Sequence, residues 1–144
     1  MSLFSFLGWS KQSTEFSYET FSSYLGTMFR PTAKIEVWSP VFKSWEQVQV
    51  IVDTGADITL LPNYLAGYLG YDLSKAKKLD TLGVGGEQVL RVLENVEIKI
   101  GPFTRTIPVG FAQSNTVPSL LGRHLCLETF SVEFQGKKKV VFKG

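Results

Sequence analysis

The stretch with the clearest chemical potential is Val50-Ile51-Val52-Asp53-Thr54-Gly55-Ala56-Asp57-Ile58-Thr59-Leu60-Leu61-Pro62. An apolar run leads directly into an acid, a hydroxyl, a glycine, an alanine and a second acid. A carboxylate at the buried end of such a run costs free energy unless something stabilises it. Burial also favours the protonated form, which suits a group that must give and take protons. The same residues equally fit a strand that ends in an Asx turn, with Asp53 capping backbone donors and Gly55 taking the awkward dihedrals. Taken alone, the stretch leaves both readings open.

Two further features accompany it. Val117-Pro118-Ser119-Leu120-Leu121-Gly122-Arg123-His124 brings an apolar strand end, a glycine and an arginine well downstream of Asp53. Between the two lies the glycine-rich turn Gly83-Val84-Gly85-Gly86, which lacks the third spaced glycine and the following helix of a nucleotide loop. Asp80-Thr81-Leu82 almost repeats Asp-Thr-Gly, but Leu82 stands where the glycine is needed, so Asp80 reads as an ordinary acid before a turn. His124 has no Ser or Cys in a nucleophile elbow to serve and reads as a surface histidine. Cys126, between Leu125 and Leu127, reads as an inert buried thiol.

The elements that must position these residues are mostly strands. Polar and apolar residues alternate over 34–38 and 46–52, and strand-like runs recur at 79–82, 88–93, 95–100 and 104–111. Tyr64, Leu65, Tyr68 and Leu69 follow Pro62 at helical spacing, which predicts a short helix over 63–70 closed by Gly70. A second short helix fits 123–128. The chain then ends in a predicted hairpin, 130–134 and 137–142, turning at Gln135-Gly136. Lys137-Lys138-Lys139 reads as its solvated face. Residues 1–30 are rich in Ser, Thr, Phe and Tyr without a clear period. They are assigned as an N-terminal extension to a domain spanning 31–144.

Composition narrows the class further. The 144 residues fit one domain, and 44% hydrophobic against 19% charged residues excludes an intrinsically disordered chain. A net charge of +2 is too weak a field to argue for nucleic acid. A single cysteine permits no internal disulfide, and no Cys/His cluster offers a zinc site. No apolar run reaches the ~20 residues that span a bilayer. Leu3, Phe4, Phe6, Leu7 and Trp9 would suit a membrane surface, but the segment has no basic residue before it and no small-residue cleavage site after it. A soluble, cytoplasmic protein without membrane association is expected.

In this order and at this spacing, the three motifs resemble the retropepsin family of aspartic proteases over roughly residues 34–134. Asp53-Thr54-Gly55-Ala56-Asp57 is similar to the family's active-site loop, Gly83-Val84-Gly85-Gly86 to its flap tip, and Leu120-Leu121-Gly122-Arg123 to its hydrophobic-hydrophobic-glycine motif. A helix after Pro62 and a hairpin after Phe134 make the chain most similar to the soluble prokaryotic members. The resemblance implies an all-β, closed barrel with one or two short helices. It also implies an aspartic endopeptidase that acts on peptides or proteins as a homodimer, without cofactor or metal. Asp53 would be the catalytic acid, one from each subunit, and Thr54 would hydrogen-bond across the pair. Asp57 and Arg123 would form an ion pair that, with Gly122, braces the loop. Ile58 and Leu120 would line apolar subsites, Ile58 standing where many retroviral enzymes have another acid. The retroviral members end soon after the strand equivalent to 130–134 and join subunits through their termini. Here the C-terminal hairpin is expected to take over part of that interface. The alternative function is a silent or latent module of the same fold that binds peptides or dimerises.

Overall fold

A computed structural model describes residues 12–83 and 86–144. Among these, the strands in order are β1 (Ser13–Ser17), β2 (Glu19–Ser23), β3 (Gly26–Arg30), β4 (Thr32–Ser39), β5 (Ser44–Val52) and β6 (Thr59–Leu61). Helix α1 (Asn63–Leu69) comes next, followed by β7 (Lys77–Gly83), β8 (Gly86–Ile100), β9 (Phe103–Ala112) and β10 (Leu120–Leu121). A 3₁₀ turn (Leu127–Thr129) then precedes β11 (Ser131–Gln135) and β12 (Lys139–Lys143).

Strands β4, β5, β10, β6, β9 and β8 are successive hydrogen-bonded neighbours, and β4 pairs back to β8 through Glu36↔Lys99 and Val37↔Ile98. The sheet therefore closes into a six-stranded barrel, which removes its free edges. The predicted alternation is what makes this possible. Ile35, Val37, Val50, Ile98 and Ile107 point inward and are almost fully buried, while Lys34 and Gln49 point out. Strand β7 lies outside the closure and pairs only with the first half of β8, so this hairpin projects from the barrel. A second sheet, β1-β12-β11, joins the two ends of the described chain. Phe142 packs edge-to-face on Phe16 (5.9 Å) within this sheet and on Phe130 (5.6 Å), and Phe130 packs in turn on Phe103 of β9 (5.3 Å), which ties the sheet to the barrel.

Several expectations change in detail. The runs 88–93 and 95–100 are one strand, β8, bent by a register shift between Leu93 and Val96. The helix over 63–70 forms, but it buries Leu65, Ala66 and Leu69 and leaves Tyr64 and Tyr68 exposed. Gly70 ends it at φ 88°, and Ser39, fully buried, donates to the Leu69 carbonyl at 2.7 Å. The helix expected over 123–128 does not form, because Leu125 takes a left-handed φ of 55° and only the 3₁₀ turn follows. In the C-terminal hairpin the left-handed residue is Lys138 (φ 65°), not Gly136. The lysines there are partly engaged: Lys139 meets Glu15 at 3.5 Å, and Lys138 Nζ stands 4.9 Å over the Phe29 ring. Residues 13–30, whose sequence shows no period, form three strands. Among the described residues, no helix is long and apolar enough to cross a membrane.

Candidate active site

Strand β5 delivers Asp53 to one end of the barrel. Two-residue β10 holds it there, inserted between β5 and β6, parallel to the first (Leu120↔Ile51, Leu121↔Val52) and antiparallel to the second (Leu120↔Leu60). The Asp53 amide donates to the Leu121 carbonyl at 3.1 Å, and the Ile51 amide to the Ser119 carbonyl at 2.8 Å. The half-buried Asp53 carboxylate accepts the Gly55 amide at 2.9 Å, and the Ala56 amide closes the turn onto the Asp53 carbonyl at 3.2 Å. A Cβ on Gly55 would stand 3.2 Å from Asp53 Oδ1, so the glycine keeps the approach to the acid open. The loop thus has the geometry of the Asx-turn reading, with one Asp53 carboxylate oxygen anchored by the backbone of its own loop.

Gly122 and Arg123 lie directly beneath this loop. A Cβ on Gly122 would come within 2.3 Å of the Ile58 carbonyl carbon and oxygen, so two backbones cross here with no room for a side chain. The Arg123 amide donates to the Ala56 carbonyl at 3.0 Å and the His124 amide to the Asp57 carbonyl at 2.8 Å. The Arg123 guanidinium reaches the Thr54 carbonyl with one nitrogen and Asp57 Oδ1, at 2.5 Å, with the other. The pair is not buried as a brace in the core would be: the Asp57 side chain is 88% exposed and that of Arg123 45%. Thr54 is exposed, and His124 lies on the surface with Nδ1 3.6 Å from Glu128. Asp57, Ile58, Arg123, His124 and Glu128 outline a shallow depression of about 270 Å³ beside the loop.

Arg123→Ala separates two consequences of this arrangement. An exposed ion pair contributes about 0–1 kcal/mol, so the melting temperature should move little. The same substitution removes the donor that ties Thr54 to Asp57, so activity should fall at least tenfold. A thermal melt beside a peptide-cleavage assay checks both, and unchanged activity would show that the loop stands without the guanidinium.

Ile58 is half-buried and its Cδ1 lies 3.0 Å from the place of a Cβ on Gly110, with Leu90 Cδ1 equally close. Gly110 of β9 thus makes room for both side chains, a role no local sequence signal advertises. Thr59 is a further supporting residue that the motifs do not single out. It is buried, and its Oγ1 accepts the Gly122 amide at 3.1 Å. A lone hydroxyl between Ile58 and Leu60 is the only signal the sequence offers for it. Cys126 is buried as expected, and burial pushes its thiol up to about 12, against smaller opposing effects of Thr59 and Arg105. Leu120 is half-buried on β10, and Asp80 is exposed on β7, opposite Val89 of β8. Gly83 and Gly86 pair at the end of the projecting β7–β8 hairpin, while Val84 and Gly85 lie outside the described residues. Among the described residues, no three His, Cys, Asp or Glu side chains gather as a metal site.

A family model described as aspartyl protease matches residues 44–125, which spans the Asp53 loop, the β7–β8 hairpin and the Leu120–Arg123 crossing. Among solved structures, a retropepsin-like aspartic protease from Rickettsia conorii is similar in fold, with a TM-score of 0.63, 24% identity and 93% of each chain covered. No curated protein matches the chain. The closed barrel is thus retropepsin-like, as the motifs implied.

Proposed function

The chain belongs to the aspartyl protease family, and on that premise we propose that it is an endopeptidase whose working acids are two Asp53 carboxylates, one from each of two copies. The observation that carries this is the Asp53 loop, which presents one carboxylate from a strand end, fixed from within by Gly55 and from below by the Gly122 crossing. One chain offers one such acid, and a two-fold axis beside the loop supplies the second. Two carboxylates brought that close cannot both ionise, so the pair holds one proton. The ionised member takes a proton from a water, the water oxygen attacks the scissile carbonyl carbon, and the protonated member donates to the carbonyl oxygen. Proton transfer to the amide nitrogen then releases the two peptides and restores the pair. An extended peptide would lie across the two loops beneath the β7–β8 hairpins, with Ile58 and Leu120 meeting apolar side chains.

The experiment is to incubate purified protein with a diverse peptide pool, with Asp53→Ala as its control, across a concentration series. Cleavage by the wild type alone, strongest at acidic to mildly acidic pH and rising per chain with concentration, is expected. Peptide binding without cleavage would replace this reading with a silent module. Constant activity per chain in a monomeric sample would remove the shared site.

A further inference from the structure

Strands β2 and β3 pair only with each other among the described residues, with registers from Glu19↔Arg30 to Ser23↔Gly26. At the hairpin's foot a hollow of about 440 Å³ lies between β1 and the barrel strands, lined by Phe16, Tyr18, Glu19, Thr32 and Gln49, and Gln49 Nε2 donates to Glu19 Oε2 at 3.1 Å. An isolated two-stranded hairpin is marginal in water, yet this one is stiffened from within. Arg30 lies 4.3 Å over the Phe21 ring, and Ser23 Oγ accepts the Leu25 amide and donates to the Gly26 carbonyl, both at 3.1 Å.

Its tip puts apolar side chains where the turn demands none. Two-residue loops of the I′ type favour Asn and Gly at the two central positions, whereas a turn followed by a left-handed glycine accepts most residues there. Here Gly26, at φ 98°, takes the left-handed conformation just after them, and Tyr24 and Leu25 occupy the centre, 96% and 69% exposed. Along β3, Met28 and Phe29 are exposed on opposite faces, Phe29 lying under the Lys138 ammonium. Nothing in the hairpin's own geometry requires a tyrosine and a leucine there.

The root of the hairpin fixes what the tip can meet. Pro31 directly follows β3, and its carbonyl accepts the Val52 amide at 2.9 Å, one residue before Asp53. The hairpin therefore leaves the barrel at the end where a second Asp53 must arrive. The area points the same way. Stable interfaces bury about 1,200–2,000 Å² in total. Covering the tip side chains would add on the order of 300 Å² per subunit.

From the placement of this hairpin, its apolar tip and the incomplete acid pair beside its root, we infer that β2–β3 is an arm that packs against a second copy of this chain and holds the two Asp53 loops together. The inference rests on the shared-site reading above, and it names the surface that makes the shared site stable. Because Tyr24 and Leu25 touch little of their own chain, Tyr24→Ser/Leu25→Ser should fold and melt as the wild type does.

Sedimentation of the full chain and of this double variant over a concentration series tests the arm directly. The expected result is a dimer dissociation constant raised at least tenfold, with activity lost at low concentration and the wild-type limiting rate regained at high concentration. Asp53→Asn separates the two ideas, since it should dimerise as the wild type does while cleaving nothing. Equal dimerisation of wild type and double variant would overturn the arm and leave the shared site standing. A wild type that stays monomeric and fully active would overturn both. Unchanged dimerisation with lost binding to phosphatidylcholine/phosphatidylglycerol vesicles, or with lost cleavage of folded proteins only, would reassign the tip to a membrane or a substrate and also overturn the inference.

Discussion

Asp53→Asn should abolish peptide cleavage, by at least about a thousandfold, while leaving melting temperature and assembly unchanged. The replacement is nearly isosteric, and an amide oxygen can still accept the Gly55 amide that now bonds Asp53 Oδ1 at 2.9 Å. The loop therefore keeps its shape and loses only the ability to exchange a proton with water. Mixing makes the result sharper. If each working site takes one acid from each of two chains, a wild-type chain paired with an Asp53→Asn chain is inactive. An about ninefold excess of Asp53→Asn protein should then reduce activity per wild-type chain to about a tenth once subunits have exchanged. Retained cleavage by the variant would end the assignment of Asp53. Full activity in the mixture would end the sharing while leaving Asp53 as the acid.

Much of the barrel was legible because its residues have one inner and one outer face. Strands β4 and β5 alternate cleanly, and Asp53 follows directly from the end of β5, so the position of the acid could be read without coordinates. The crossing at Gly122 was legible only through resemblance, since a two-residue strand such as β10 carries no period. Its pairing with β5 and β6 depends on contacts far apart in the chain. The short helix expected over 123–128 does not form because backbone bonds from Arg123 and His124 to the Asp53 loop outweigh local propensity and Leu125 turns left-handed. Strands β2 and β3 were illegible for a different reason. Both faces of β3 are exposed in the single chain, so no buried face writes a pattern into the sequence.

Gly122→Ala should be the most damaging single methyl in the described chain. The added Cβ would stand 2.3 Å from the Ile58 carbonyl carbon and oxygen and 2.8 Å from the Thr59 nitrogen. These are backbone atoms of the strand entering β6, held on one side by β10 and on the other by β9, so they cannot swing aside as a side chain would. The glycine is required by close approach, not by its dihedrals, because its φ is not in the left-handed region. Separating the two backbones would also stretch the bond from the Gly122 amide to buried Thr59 Oγ1. Overpacking of this kind costs about 3 kcal/mol or more when the neighbour cannot give. For a domain of this size, that corresponds to a melting temperature lowered by about 10 °C. Gly67→Ala provides the contrast in the same protein. Gly67 lies inside α1 with nothing within 4 Å of its Cβ position, so an alanine there should raise stability by about 0.5–1 kcal/mol. The two substitutions add the same atom and should shift the melt in opposite directions. Activity should follow the crossing as well: any Gly122→Ala protein that folds has Arg123 and the Asp53 loop displaced relative to each other, and its cleavage rate should fall even well below its melting temperature. A variant that melts with the wild type would show that the two backbones can separate without cost, and the support proposed for Asp53 would have to come from Arg123 and β10 alone.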